Sequence, residues 1–377
     1  MAKILFATWN GGGNQPPTIG IAQALKERGH DVLVLGQQTQ RRRFEAAGFA
    51  FSEFQEKAAA VSCLCGTERQ SALMRDIWMN DNFAAEVADK VRKSSADLVV
   101  VDCMLVGVLA NSKSFQVPTV VLVHSLFKSV LTVRDSMVMM GNKLRVEAGR
   151  KPFDTQAATW ESKDLVLATT LREFDDAAEL TLPNLRFVGP VFEKRPAPEG
   201  WTLPWCENDT RHLILVSFST NTDQSSVGSL QATLDSLEQF DAQILVTTGG
   251  AISPETLRAP ANAKVFGFIP HELVLPHVDL MITHGGHGSV MAALRYGVPL
   301  ICKPSLGADQ AIIAKRVGEL GLGKAITGMD EIAKATETIL RDGSFKRTAR
   351  RFKEMIGRDD GAALAVREIE KFLAARE

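Results

Sequence analysis

The segment Thr283-His284-Gly285-Gly286-His287-Gly288-Ser289 gathers residue types that hold phosphate. Glycines at 285, 286 and 288 let the main chain approach an anion closely, Ser289 offers a hydroxyl, and His284 can donate a hydrogen bond or carry positive charge. A glycine-rich turn can also serve only to turn the chain between a strand and a helix. Its surroundings therefore matter: Ala293-Leu294, Gly297-Val298-Pro299, Lys303-Pro304 and Ala308-Asp309-Gln310 follow within a short span. Phe218-Ser219-Thr220 and Thr248-Gly249-Gly250 end two earlier apolar runs, and Ser219 could bond a diphosphate from the other side. In the first half, Asp102 and His124 each follow an apolar run and could move a proton, with Ser125 beside the histidine. Asp102 could equally cap the helix after it.

These residues need strands that end where they stand. Ile4 to Trp9 reads as a buried strand, Asn10 to Pro17 as a loop, Thr18 to Arg28 as a helix closed by Gly29, and Asp31 to Leu35 as a second strand. After an amphipathic stretch from Glu68 to Lys93 come a strand at Asp97 to Val101, a helix at Leu105 to Phe115 and a strand at Val117 to Val123. Strand and helix keep alternating, which predicts a parallel sheet flanked by helices. Proline and glycine crowd Val188 to Leu213, the expected linker and hinge. The alternation resumes with strands at Leu213 to Phe218, Gln243 to Thr247, Lys264 to Gly267, Leu280 to Thr283 and Leu300 to Cys302. Helices are expected at Ser225 to Gln239, Gly288 to Tyr296 and Gln310 to Leu320. The expected division is 1–190, a linker at 191–212, 213–357, and a C-terminal helix at 358–377 packing back across the junction. In open parallel sheets ligands sit beyond the carboxyl ends of strands, and phosphate sits at helix N-termini, where the glycine segment falls.

With 377 residues the chain is long enough for two domains at about 100 to 200 residues each. Lys and Arg total 43 against 44 acidic residues, so no global field draws nucleic acid or an anionic membrane. The basic run Arg41-Arg42-Arg43 reads as a solvated helix start. Cys63, Cys65, Cys103, Cys206 and Cys302 show no zinc spacing and read as reduced thiols. The first nine residues are too short an apolar stretch for a signal peptide, and no apolar run approaches a membrane span. A cytoplasmic enzyme without stable membrane insertion is expected; oligomeric state, a homodimer included, is left open.

The run His284-Gly285-Gly286-His287-Gly288-Ser289, Ala293-Leu294, Gly297-Val298-Pro299, Pro304 and Asp309-Gln310 resembles the donor signature of nucleotide-sugar-dependent glycosyltransferases. The likeness is to the family 1 type with the GT-B fold, bacterial enzymes that decorate antibiotics and other natural products. The resemblance covers nearly the whole chain and implies an α/β architecture of two Rossmann-like domains facing each other. It implies that His284, Gly286, Gly288 and Ser289 hold the diphosphate, that Asp309 and Gln310 bond donor-sugar hydroxyls, and that Phe268 and Ile269 cover the nucleobase. The plain structural alternatives are an N-cap pair for Asp309-Gln310 and a core position for Phe268. Implied partners are a UDP- or dTDP-sugar donor and a small hydrophobic acceptor. No cofactor and no metal are expected, since the sequence has no D-x-D triplet and the helix N-terminus with His284 would stabilise the leaving diphosphate.

One departure stands out. The resembled enzymes that make O-linked products carry a G-H-x-x-P motif whose histidine is the general base, but the aligned stretch here is Gly13-Asn14-Gln15-Pro16-Pro17. An asparagine amide cannot accept that proton, so Asn14 can only orient. Three solutions remain open: His124 as base, Asp102 as base, or an acceptor acidic enough to ionise unaided. His124 faces the expected cleft, where relatives place a polar donor contact. Residues Val130 to Val146, with Met137, Met139 and Met140, and the trio Trp78, Met79 and Phe83, could line an acceptor pocket or simply pack a core. Rival functions are a catalytically silent sugar-nucleotide-binding protein and an epimerase or hydrolase of the same fold.

Overall fold

The computed structural model describes residues 1–56, 66–131, 139, 142, 146, 151–152, 163–176, 182–195, 200–205, 209–219, 226–250, 252–305 and 308–376. It divides into unit 1, Met1–Lys194 with Asp359–Glu377, and unit 2, Arg195–Arg358.

Unit 1 is built on strands β1 (Lys3–Ala7), β2 (Asp31–Gly36), β3 (Ala50–Glu53), β4 (Leu98–Asp102), β5 (Thr119–Val123), β6 (Leu165–Ala168) and β7 (Leu185–Phe187). They form a parallel sheet in the order β3-β2-β1-β4-β5-β6-β7. The sequences of β4, β5 and β6 are almost unbroken Val, Leu and Ala because helices cover both sheet faces. On one face lies α1 (Gln15–Glu27), which buries Ile19, Ala22 and Leu25. The C-terminal helix Gly361–Ala374 adds Ala362, Ala365, Val366 and Ile369 to that same core. On the other face α2 (Asn82–Ser94) inserts Phe83, Ala84, Val87 and Val91.

Unit 2 repeats the plan with β8 (His212–Ser217), β9 (Ala242–Thr247), β10 (Ala263–Phe266), β11 (Leu280–Thr283), β12 (Leu300–Cys302) and β13 (Gly323–Ala325). All pair in parallel in the order β10-β9-β8-β11-β12-β13. In each sheet the first strand of the unit lies beside the fourth, β1 by β4 and β8 by β11. That reversal of strand order opens a crevice above the carboxyl ends, where doubly wound folds take their ligands. No helix among the described residues is long and apolar enough to cross a membrane.

Several elements differ from the sequence reading, each for a local reason. The helix expected from Thr18 begins at Gln15, because Pro16 and Pro17 occupy its first turn, where a missing N–H costs nothing. The helix expected over Leu105 to Phe115 breaks after Ala110: the Asn111 side chain donates to the Gly107 carbonyl at 2.8 Å, and a 3-10 turn follows at Ser112–Phe115. The amphipathic stretch from Glu68 is interrupted by a π-type segment, Leu73–Trp78. Arg41 and Arg43 do start or follow a helix start, but they pair with Glu45, Glu53 and Glu193 rather than standing free in solvent.

Candidate functional site

In unit 1 the chain leaves β1 through Thr8 and Trp9, loops back, and enters α1 at Asn14. Both Asn14 and Asp102, at the end of the adjacent β4, are buried. The Asn14 amide donates to Asp102 Oδ2 at 2.9 Å and to the Trp9 carbonyl at 2.9 Å. Asp102 Oδ1 accepts from the Trp9 indole N–H at 3.1 Å and from the Met104 main-chain N–H at 2.9 Å. A fourth donor is His124, just past β5, whose Nδ1 lies 3.2 Å from Asp102 Oδ2. The Cys103 thiol sits 3.7 Å from the same nitrogen.

This arrangement fixes protonation. Burial alone would raise the Asp102 carboxyl, but facing His124, the Met104 N–H and the Asn14 amide outweigh it and hold the group below its ordinary range. Burial alone would lower the His124 imidazole, yet Asp102 and Cys103 beside it hold it well above 6.5. Because the carboxylate claims the Nδ1 proton, the neutral ring has its lone pair on Nε2. His124 keeps 17% of its side chain exposed, against 1% for Asp102. The pair is therefore a carboxylate-oriented imidazole able to accept a proton through Nε2. Asp102 does not cap the following helix, whose N-cap is Leu105; it closes the turn at Met104 instead.

Three further polar atoms around these strand ends are buried without a hydrogen-bond partner among the described residues: Gln15 Oε1, Ser125 Oγ and Thr170 Oγ1. Each is a position a bound molecule can satisfy. Ser125 is legible in the sequence from its place beside His124; Gln15, Thr170 and the positioning role of Trp9 are not, although a tryptophan directly after a buried strand is a usable signal. Of the residues read as a pocket or a core, Phe83 stacks on Phe54 at 4.2 Å and Met79 packs with Met74 and Val106, so these two are core. Trp78 stands edge-on to Trp9 at 5.4 Å. Met137 and Met140 lie outside the described residues, as do Cys63, Cys65 and Cys206, while Met139 is exposed.

In unit 2 the segment after β11 leads directly into α3 (His287–Arg295). Its N-cap, Gly286, has no side chain to cap the first turn, the kind of helix N-terminus that suits an anion. A Cβ at Gly286 would lie 2.5 Å from His284 Nε2, which shows how closely the imidazole folds over that main chain. At Gly288 a Cβ would meet nothing within 4 Å, so packing within the protein does not require glycine there. His284 is buried, with Nδ1 3.3 Å from Thr283 Oγ1. Burial first, then neighbouring His271, brings it down to about 4. It is thus neutral near pH 7 and offers a hydrogen bond, not the positive charge that the sequence allowed. His271 Nε2 faces Ser217 Oγ at 3.0 Å, and Thr247 donates to the same hydroxyl at 2.9 Å.

The remaining candidates surround this loop in sequence or structure. Ser219 follows β8 and is buried. Phe268 is 57% exposed, with the Arg195 guanidinium 5.8 Å from its ring centre, so it is not a core residue. Ile269 is buried. Asp309 and Gln310 lie in the first turn of α4 (Ala308–Glu319), inside the helix and not at its cap. Gln310 Oε1 accepts from the Ser305 N–H at 2.9 Å and from its hydroxyl at 2.8 Å, which orients the amide and leaves its NH₂ for a ligand.

Comparison with known proteins bears on the family and the fold. Residues 231–369 match the family model for the erythromycin biosynthesis protein CIII-like C-terminal domain. The chain is 27% identical to 4'-demethylrebeccamycin synthase of Lentzea aerocolonigenes, over 98% of this chain and 99% of the relative. Among solved structures, the calicheamicin glycosyltransferase CalG4 superposes with a TM-score of 0.80 at 22% identity, covering 99% of this chain and 98% of that one. The glycosyltransferase VinC in complex with dTDP gives a TM-score of 0.74 at 16% identity, over 99% and 100% of the two chains.

Proposed function

We propose, for a chain that belongs to the GT-B-fold glycosyltransferases of natural-product type, that it moves a sugar from a UDP- or dTDP-sugar to a small hydrophobic acceptor, inverting the anomeric carbon. Unit 2 takes the donor. The N–H groups around Gly286, Gly288 and Ser289 receive the diphosphate, His284 and Ser219 add hydrogen bonds, and the exposed Phe268 ring stacks on the base, beside the main chain of Ile269. Asp309 and the free NH₂ of Gln310 bond sugar hydroxyls. The dTDP held by VinC is in keeping with this donor class.

Unit 1 activates the acceptor. His124 Nε2 takes the proton of the acceptor hydroxyl as its oxygen bonds the anomeric carbon, while Asp102 stabilises the imidazolium that forms. The bond to the diphosphate breaks, its electron pair goes to the phosphate oxygen, and the positive end of α3 offsets the charge that develops. Asn14 accepts no proton; it and Trp9 hold Asp102 in place. The reaction is proposed to run in the cytoplasm, as the near-neutral charge and the reading of the cysteines as reduced thiols suggest, with no nucleic acid partner and no metal.

The observation that carries the reading is the 3.2 Å pairing of His124 Nδ1 with a carboxylate that three other donors also hold. Calorimetric titration of UDP, dTDP and GDP without added metal, followed by an acceptor screen, tests it. His284→Ala should lose nucleotide affinity. His124→Ala should bind nucleotide as the wild type does but turn over about 10² to 10⁴ times more slowly. Wild-type turnover in His124→Ala would rule out this base, and a wild type that binds no nucleotide would remove the whole proposal.

A further inference from the structure

The same three strand-end residues carry a second capability. We propose that Asp102, Cys103 and His124 bind a soft divalent cation, zinc foremost, and that its binding switches the proton-accepting imidazole off. The binding claim stands apart from the catalytic reading; only its consequence for turnover rests on it.

The geometry is the main argument. Asp102 Oδ2, Cys103 Sγ and His124 Nδ1 supply a carboxylate, a thiol and an imidazole, and the ligand atoms of these residues all lie within 4.8 Å of one another. The Nδ1 to Oδ2 distance is 3.2 Å and the Nδ1 to Sγ distance 3.7 Å. Tetrahedral zinc, with bonds of about 2.0 Å to nitrogen and oxygen and about 2.3 Å to sulfur, sets those separations at about 3.3 Å and about 3.5 Å. Two of the three edges that these ligands define are thus already spanned, and the third, carboxylate to thiol, lies within 4.8 Å.

The backbone explains why neighbours in sequence can share one ion. Side chains of successive strand residues point to opposite faces. Here the ladder continues one step past β4, with Cys103 N–H donating to the Leu122 carbonyl at 3.0 Å, and the chain then turns as Leu105 N–H meets the Asp102 carbonyl at 3.0 Å. Asp102 and Cys103 consequently both reach the ring of His124. Around them, Trp9 and Met104 hold Oδ1 and Asn14 donates to Oδ2, the kind of outer support that orients metal ligands. Three protein ligands leave a fourth position for water, as in zinc sites with an exchangeable ligand.

The chemical consequence is direct. Binding displaces the thiol proton of Cys103 and the Nδ1 proton of His124. A neutral imidazole ligated through Nδ1 keeps its remaining proton on Nε2, so the lone pair that would accept the acceptor's proton is gone. Zinc would therefore act as a reversible inhibitor of a reaction that needs no metal, and a chelator would restore turnover.

Cobalt titration reads the site through a thiolate-to-metal charge-transfer band in the near ultraviolet, with strong tetrahedral bands in the visible. The background should be the full chain with Cys63→Ser, Cys65→Ser and Cys206→Ser, which leaves Cys103 and only one other thiol, Cys302, buried and pushed up to about 12 by that burial. One cobalt per chain with both signals is expected. Cys103→Ala should abolish the charge-transfer band, and His124→Ala should weaken binding at least about tenfold; circular dichroism and urea unfolding on each variant confirm that unit 1 is folded. Zinc should displace cobalt and stop turnover over the same concentration range. A band that survives Cys103→Ala, or no band in the background protein, overturns the site. Cobalt bound as described with turnover unchanged overturns the switch, and His124 as the base with it.

Discussion

Replacing Asp102 by asparagine tests the unit 1 arrangement at one atom. The carboxylate accepts from four donors: Trp9 and Met104 at Oδ1, Asn14 and His124 at Oδ2. Asparagine keeps one oxygen, which the Trp9 and Met104 donors claim, and puts an NH₂ where two other donors point. His124 can meet that NH₂ only with an Nδ1 lone pair, which moves its proton to Nε2 and leaves it unable to act as a base. Asn14 has no such escape. Strand a buried donor in this way and stability drops by about 1 to 3 kcal/mol; lose the base and the rate drops by about 10² to 10⁴, equivalent to about 3 to 5 kcal/mol of barrier. The assay is kcat/KM against pH, with urea unfolding alongside. In the wild type His124 lies well above 6.5 in the folded state and must be neutral to act, so kcat/KM should rise with pH through a value above 6.5. Without the neighbouring charge, any residual activity should have its rising limb at lower pH. Asp102→Asn turning over within a few-fold of wild type, with the limb unmoved, would refute the reasoning.

Three further outcomes follow from unit 2. Gly288→Ala should leave stability unchanged or raise it by up to about 1 kcal/mol, since a Cβ there meets nothing and alanine favours a helix, yet nucleotide affinity by calorimetry should fall. Phe268→Ala, at a position 57% exposed, should shift unfolding by no more than about 0.5 kcal/mol but cost about 1 to 3 kcal/mol of nucleotide binding if the base stacks on it. For His284, about 4 folded against 6.5 unfolded, the unfolded chain takes up the proton first as pH falls between those values. Stability should therefore decline over that window by up to about 3 kcal/mol, measurable by urea unfolding at successive pH values, and His284→Gln should remove that part of the slope.

Much of this was legible because apolar runs such as Leu98 to Val101 and Leu213 to Val216 can be little else than strands buried on both faces. The glycine-rich loop between β11 and α3 was equally plain, since glycines, a serine and a histidine stand together in sequence. The unit 1 site was only half legible. Asp102 and His124 were separate candidates, because their partnership depends on β4 lying beside β5 and on the turn at Met104, which no local pattern encodes. Prolines 16 and 17 misled for a related reason: in isolation they signal a loop, and only the helix that follows makes them a first turn. The protonation of His284 was out of reach, because it depends on burial and on His271 arriving from another segment.

The exchange of histidine for asparagine at position 14 has a consequence for selectivity. In the resembled enzymes the base stands on the loop after the first strand; here the histidine paired with Asp102 stands on the far side of that carboxylate, past β5. The imidazole that Asp102 orients thus comes from the β5 side, like a gate hung on the opposite post. With His124 as the proposed base, an acceptor would present its nucleophilic atom from the β5 side, and a molecule with several hydroxyls would be modified at a different one. Moving the histidine back, with Asn14→His and His124→Asn together, would turn that positional change into a design variable for regioselective glycosylation.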